Sequence, residues 1–158
     1  MQTLNRSEAE AWCQANLIPL DGHQRPEPSF SDVEGRDFDI PEDAGRRVAL
    51  LENLFRDFPE GGEVLLWITE WGVWPSGERL HMFKRFLASY GEDRQLDDVP
   101  AFVFGANERE DLISFAAFAI LFLWDCHVLT SDGEAWLFLS HDEMGWICSR
   151  RKRTIAIS

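Results

Sequence analysis

Few residues in this chain are of a type and spacing that could do chemistry. Glu70 stands between Trp67 and Trp71 in the stretch LLWITEWGVWPS at 65–76. A carboxylate held among indoles is pushed toward its neutral form and could act as an acid. The competing reading places Glu70 at a strand end, where an acid ordinarily reaches solvent. His141-Asp142-Glu143 is the densest run of titratable groups that includes a histidine, and it could form a metal or acid–base site at the rim of a sheet. Ser140 with Glu143 also spells a helix capping box, which explains the same residues without any reaction.

The strong catalytic signatures are missing. The chain contains no G-x-S-x-G, no G-x-x-x-x-G-K, no G-x-G-x-x-G and no H-E-x-x-H. His23, His81, His127 and His141 fall on separate segments, whereas zinc ligands stand a few residues apart. Cys126 and His127 are adjacent, and neighbours on a strand face opposite ways. Asp132-Gly133-Glu134-Ala135-Trp136 lacks the lysine a nuclease core would want. The sequence therefore assigns no catalytic residue, no metal and no cofactor.

Charge is the dominant global feature. Asp and Glu number 28 against 15 Lys and Arg, a formal net charge of −13, and four of the cations are gathered at Arg150-Arg151-Lys152-Arg153. The body is more acidic than the total, so it repels phosphate backbones and anionic lipid and attracts a cationic protein. Neither nucleic acid nor membrane is expected as a partner. The basic run at 150–153 reads as a tail pinned to the protein's own acidic surface. Arginine outnumbers lysine, which stands only at 84 and 152, a bias that points to a GC-rich bacterial genome. Cys13, Cys126 and Cys148 are odd in number and widely spaced, as in reduced cytoplasmic proteins. The N-terminal residues lack the pattern of a secretory signal, and the apolar run 112–124 is too short to span a bilayer.

A chain of 158 residues with 45% hydrophobic and 13% aromatic content suffices for one globular domain over 1–158. Ser7 with Glu10 predicts a capped helix over 8–16, anchored by Trp12. Residues 21–43 read as an irregular acidic loop. Pro41 and the apolar positions Val48, Leu51, Leu54, Phe55 and Phe58 predict a helix over 41–57. Residues 63–71 predict an interior strand. Leu80, Phe83, Phe86, Leu87 and Tyr90 predict a helix closed by Gly91. A loop at 92–100 leads to a short strand at 101–104. Asn107 with Glu110 predicts a capping box opening a buried helix to about 124. Residues 126–130 and 135–140 flank Asp132-Gly133 and predict a hairpin. Ser140 with Glu143 predicts a short helix carrying Met144, Ile147 and Cys148, and residues 154–157 an edge strand. The whole reads as an α/β (or α+β) single-domain sandwich, a mixed β-sheet with a C-terminal antiparallel hairpin packed by about five helices.

In general character, VLLWITEWGVWPSGERLHMFKRFLASYG (64–91) with DCHVLTSDGEAWLFLSHDE (125–143) resembles small acidic bacterial proteins of polymorphic-toxin immunity type. That resemblance implies a non-enzymatic protein that neutralises a basic toxin by stoichiometric binding. The expected contact residues are the acids of the two loops, Asp32, Glu34, Asp37, Asp39, Glu92, Asp93, Asp97 and Asp98, with Trp71 and Trp74 as aromatic anchors. Two rival expectations stand beside it. One is a hydrolase-like or metal-dependent enzyme using Glu70 or the His141 cluster. The other is a nucleic-acid mimic whose acids imitate phosphates.

Overall fold

The computed structural model describes residues 1–27, 35–71 and 80–149. In chain order these form β1 (Gln2–Leu4), α1 (Arg6–Ala15), β2 (Arg36–Asp39), α2 (Ala44–Arg56), β3 (Val64–Glu70), α3 (Leu80–Ser89), β4 (Ala101–Phe104), α4 (Arg109–Phe122), β5 (Asp125–Thr130), β6 (Ala135–Leu139) and β7 (Met144–Ser149). The class is mixed α/β. The strands make one seven-stranded sheet in the order β1-β4-β3-β5-β6-β7-β2. Every neighbouring pair is antiparallel, which corrects the expectation of a mixed sheet, and the described residues form four helices where about five were expected. Among the described residues no helix is long and apolar enough to cross a membrane.

Period-two alternation splits the sheet's side chains between two cores. Val64, Leu66 and Ile68 of β3 face the layer built by α2, α3 and α4, together with Phe102, Phe104, Val128, Leu137 and Ile147. Phe83 of α3 centres that layer, with its ring edge-to-face to Phe102, Phe115 and Trp124 at 5.2–6.2 Å. Leu65 and Trp67 face the other way, onto Ala9 and Cys13 of α1. Trp67 is thus core, as its strand position implies, and only 3% exposed.

Caps decide where the helices begin. The expected box at Ser7 is built two residues earlier: Asn5 accepts from the Glu8 N–H, and the Glu8 carboxylate accepts from the Asn5 N–H. Asp43 caps α2 by accepting from the Arg46 N–H, so Pro41 lies outside that helix. The box expected at Asn107 does not form. α4 follows Glu108, whose carboxylate instead accepts from the Gly105 N–H and the terminal amine of Met1.

The expected helix after Ser140 is strand β7, and the expected irregular loop contains strand β2, paired to β7. Glu143 turns the corner between β6 and β7 with φ 60°. Met144, Ile147 and Cys148 sit at helical spacing by coincidence. Backbone pairing with β6 on one side and β2 on the other decides the matter, as tertiary context routinely overrides a short periodic signal. The β5–β6 hairpin forms as its Asp-Gly turn predicts, with Gly133 at φ 68°. The proposed strand at 154–157 and the basic run at 150–153 lie outside the described residues.

Candidate acidic contact surface

Cross-strand register determines which loops and strand ends meet. Ile68 pairs with Cys126, Cys126 with Leu139, Leu139 with Gly145, and Gly145 with Phe38, a row crossing five strands. One step beyond that row the sheet ends, and carboxylates stand there on successive segments. Asp97 and Asp98 lead into β4, Glu70 ends β3, Asp125 opens β5, Asp142 and Glu143 form the β6–β7 turn, and Asp39 ends β2. Antiparallel pairing alone produces this gathering: residues distant in the chain are brought to one end of the sheet. With strands about 4.8 Å apart, five steps from β4 to β2 make a rim about 24 Å long.

Cations answer only part of this charge. The ring Nδ1 of His141 lies 2.8 Å from Asp125 Oδ1, and the His141 backbone N–H donates to the same oxygen at 2.7 Å. Its Nε2 lies 3.5 Å from Asp142. The hydrogen bond to Asp125 raises the His141 pKa, and the nearby charges of Asp125, Asp142 and Glu70 push the same way. Arg47 is almost wholly buried and is spent inside, donating to the carbonyls of Pro41 and Leu121 and to Glu143. Asp39, Asp97 and Asp98 are exposed and make no ion pair among the described residues.

The ten expected contact residues divide sharply. Asp32, Glu34 and Trp74 lie outside the described residues. Asp37 and Asp39 are exposed on the edge strand β2. Asp93, Asp97 and Asp98 are exposed in the loop ahead of β4. Glu92 is different. Only 8% exposed, it accepts from Arg94 Nη2 at 2.6 Å, Arg94 Nε at 2.8 Å and Thr3 Oγ1 at 2.8 Å, and these bonds hold its pKa down to about 2. It ties β1 to the loop and has no oxygen to spare for a partner.

Trp71 is half-buried and packs against the core of the α2–α3–α4 layer. Together with Asp97 it walls two neighbouring hollows, one of about 720 Å³ beside Arg6, His23 and Arg25, the other of about 290 Å³ beside α3. Two expected contact residues from separate segments therefore meet at one spot.

The residues of the enzymatic alternative converge in part. Glu70 and Asp125 face each other in register, and His141 is bonded to Asp125. Asp125 is the member that sequence reading does not single out. Nothing local in the sequence marks it, since α4 is closed just before it by a leucine, Leu123, in the left-handed conformation at φ 53°. Among the described residues no group of three His, Cys, Asp or Glu is placed to hold a metal. Neither described hollow at Trp71 is lined by Asp125, His141 or Glu70. The three cysteines are buried, and burial raises the thiols of Cys13 and Cys126, to about 12 for Cys13. No protein-family model, curated protein or solved structure matches the chain.

Proposed function

We propose that this protein is a non-enzymatic, acidic binding protein of the bacterial cytoplasm, of immunity type, that neutralises a basic protein by covering it with the acidic end of its sheet. The observation that carries this reading is the row of carboxylates at that end, drawn from five separate chain segments. A standard protein interface buries about 800 Å² on each partner, a patch roughly 30 Å across, and a rim of about 24 Å fits within it. Its sign steers a cationic partner and makes association sensitive to salt.

The test is capture from a lysate of the source cell at about 20 mM salt, with an elution step at 0.5 M and mass spectrometry of what comes off. A single basic protein, released by salt and no longer captured by an Asp39→Lys/Asp98→Lys variant, is the expected outcome. Glu60→Lys, an exposed acid beyond the other end of β3, is the matched control and retains capture. Capture unchanged by the rim variant, or no basic protein at all, removes the basis for the reading. Capture of a DNA-binding protein displaced by duplex DNA would favour the nucleic-acid mimic.

The Asp125–His141 pair supports one alternative, since a carboxylate that orients an imidazole is the arrangement a general base uses. A hydrolytic activity lost in His141→Ala, with the fold retained, would establish it.

A further inference from the structure

The smaller hollow beside Trp71 differs from the rest of this acidic surface. Its floor is apolar: Phe83 and Leu87 of α3 are 1% exposed, and Leu96 from the loop ahead of β4 is 9% exposed. Its lip carries a lysine and a histidine. Lys84 and His81 stand three residues apart on α3 and thus side by side on one helix face. Lys84 makes no ion pair among the described residues, and it is one of two lysines in the chain. Arg94 also reaches the lip, but Glu92 holds it at 2.6 Å. Asp97 is the one acid among the described residues that line the hollow.

We infer that this hollow is a binding site for a small apolar carboxylic acid, with the hydrocarbon against the half-buried Trp71 and Leu80 and against Leu96, above the buried Phe83 and Leu87, and the carboxylate at Lys84. Three features select that chemistry. The volume of about 290 Å³ is near the lower end of ligand pockets, the range of a small molecule. That capacity suits an eight-carbon chain with its carboxyl group and is too small for a peptide helix. The floor offers no polar side chain to a ligand's interior, so the hydrophobic effect supplies affinity without selecting a head group. The free ammonium of Lys84 supplies that selection, and in a protein of net charge −13 it marks where an anion is tolerated. Asp97, on the side of the lip shared with the larger hollow, disfavours the anion there and biases the head group toward Lys84.

Octanoate and 1-octanol are the probes, titrated calorimetrically into the full chain at low ionic strength. Octanoate is expected to bind saturably at one site, with 1-octanol about two- to fivefold weaker, the scale of one partly screened charge interaction. Lys84→Gln, an exposed change that leaves the core intact, should weaken octanoate about two- to fivefold and leave octanol unchanged. Asp97→Asn should tighten octanoate by a similar factor, a gain that general loosening of the fold does not produce. Leu80→Trp, which fills the hollow from its half-buried side, should abolish binding of both. The inference is overturned if octanoate shows no saturable binding, if octanol binds as well as octanoate, or if both charge variants leave octanoate affinity unaltered.

Discussion

His141 and Asp125 are joined twice at a single carboxylate oxygen, once through the imidazole Nδ1 at 2.8 Å and once through the His141 backbone N–H at 2.7 Å. The double attachment fastens the β6–β7 turn to the start of β5. It also fixes the tautomer, because the carboxylate accepts and Nδ1 must therefore carry the proton. Titration of the ring then reports on Asp125. The folded-state pKa is raised, so the pairing contributes stability that is fully present below the unfolded value of about 6.5 and is lost as pH rises through the folded value. An NMR titration of the His141 ring should show a midpoint above about 6.5 in the wild type. In Asp125→Asn the midpoint should fall, since the first cause of the shift is gone. A midpoint that Asp125→Asn leaves in place would break the assignment.

Glu92 offers a test at the opposite edge of the sheet. Its carboxylate gathers Arg94 and Thr3, and Arg94 Nη2 donates to Thr3 Oγ1 at 2.9 Å, so one network anchors the edge strand β1. Glu92→Gln weakens the acceptor and leaves Arg94 poorly answered, at a cost of about 1–2 kcal/mol. In thermal melts that is a fall in Tm of roughly 2–8 °C for a chain of this size. The folded pKa is depressed, so this stability is present above the ordinary value of 4.5 and is lost as pH falls toward about 2. The wild type and Glu92→Gln should therefore converge in stability near pH 2.

How far the sequence reveals this fold depends on how local each signal is. The faces of α2, α3 and α4 repeat within a few residues, and β3, β4 and the β5–β6 hairpin carry dense apolar runs with a Gly turn, so all are legible. β1 and β2 span three and four residues, and β2 reads Arg-Asp-Phe-Asp, which a local pattern assigns to an acidic loop. β7 imitates a capped helix until its partners on both sides are known. The acidic rim is the least legible feature. Asp39, Glu70, Asp98, Asp125 and Asp142 have nothing in common until register brings them to one end of the sheet. Glu92 shows the reverse failure, an acid in an acidic loop whose partners Arg94 and Thr3 turn it inward.

His127 gives a pH dependence of opposite sign to that of His141. It is 7% exposed, stacked on Trp136 with the ring planes 4° apart, and its Nδ1 accepts from the Trp136 indole N–H at 3.1 Å. Desolvation lowers its pKa to about 3. A depressed value means that the unfolded chain takes up the proton first, so stability is present above about 6.5 and is lost as pH falls toward 3. As pH falls from 6.5 to 4.5 the slope from this group alone should steepen from about 0.7 to about 1.4 kcal/mol of unfolding free energy lost per pH unit. His127→Asn keeps an acceptor for Trp136 but does not titrate, and its urea midpoint should be flatter over that window. An equally steep wild-type and variant profile would assign the acid sensitivity elsewhere.

Close packing explains why a glycine, Gly145, stands second in β7. A Cβ built there would lie 2.3 Å from the Phe38 ring and 2.7 Å from the Phe138 carbonyl oxygen, distances at which something must shift. The Phe38 ring of the edge strand β2 lies over this position, where it packs against the core of the helical layer. Gly145→Ala forces Phe38 aside or separates β7 from β6, and overpacking of this kind costs about 1–3 kcal/mol. Phe38 is half-buried and sits on an edge, so its ring has room to yield once trimmed. Phe38→Leu in the Gly145→Ala background should therefore recover part of the loss, a coupling of about 0.5–2 kcal/mol between residues in contact. Urea unfolding of the four members of this cycle measures it. Strictly additive costs would mean that the obstruction is the Phe138 carbonyl and not the Phe38 ring.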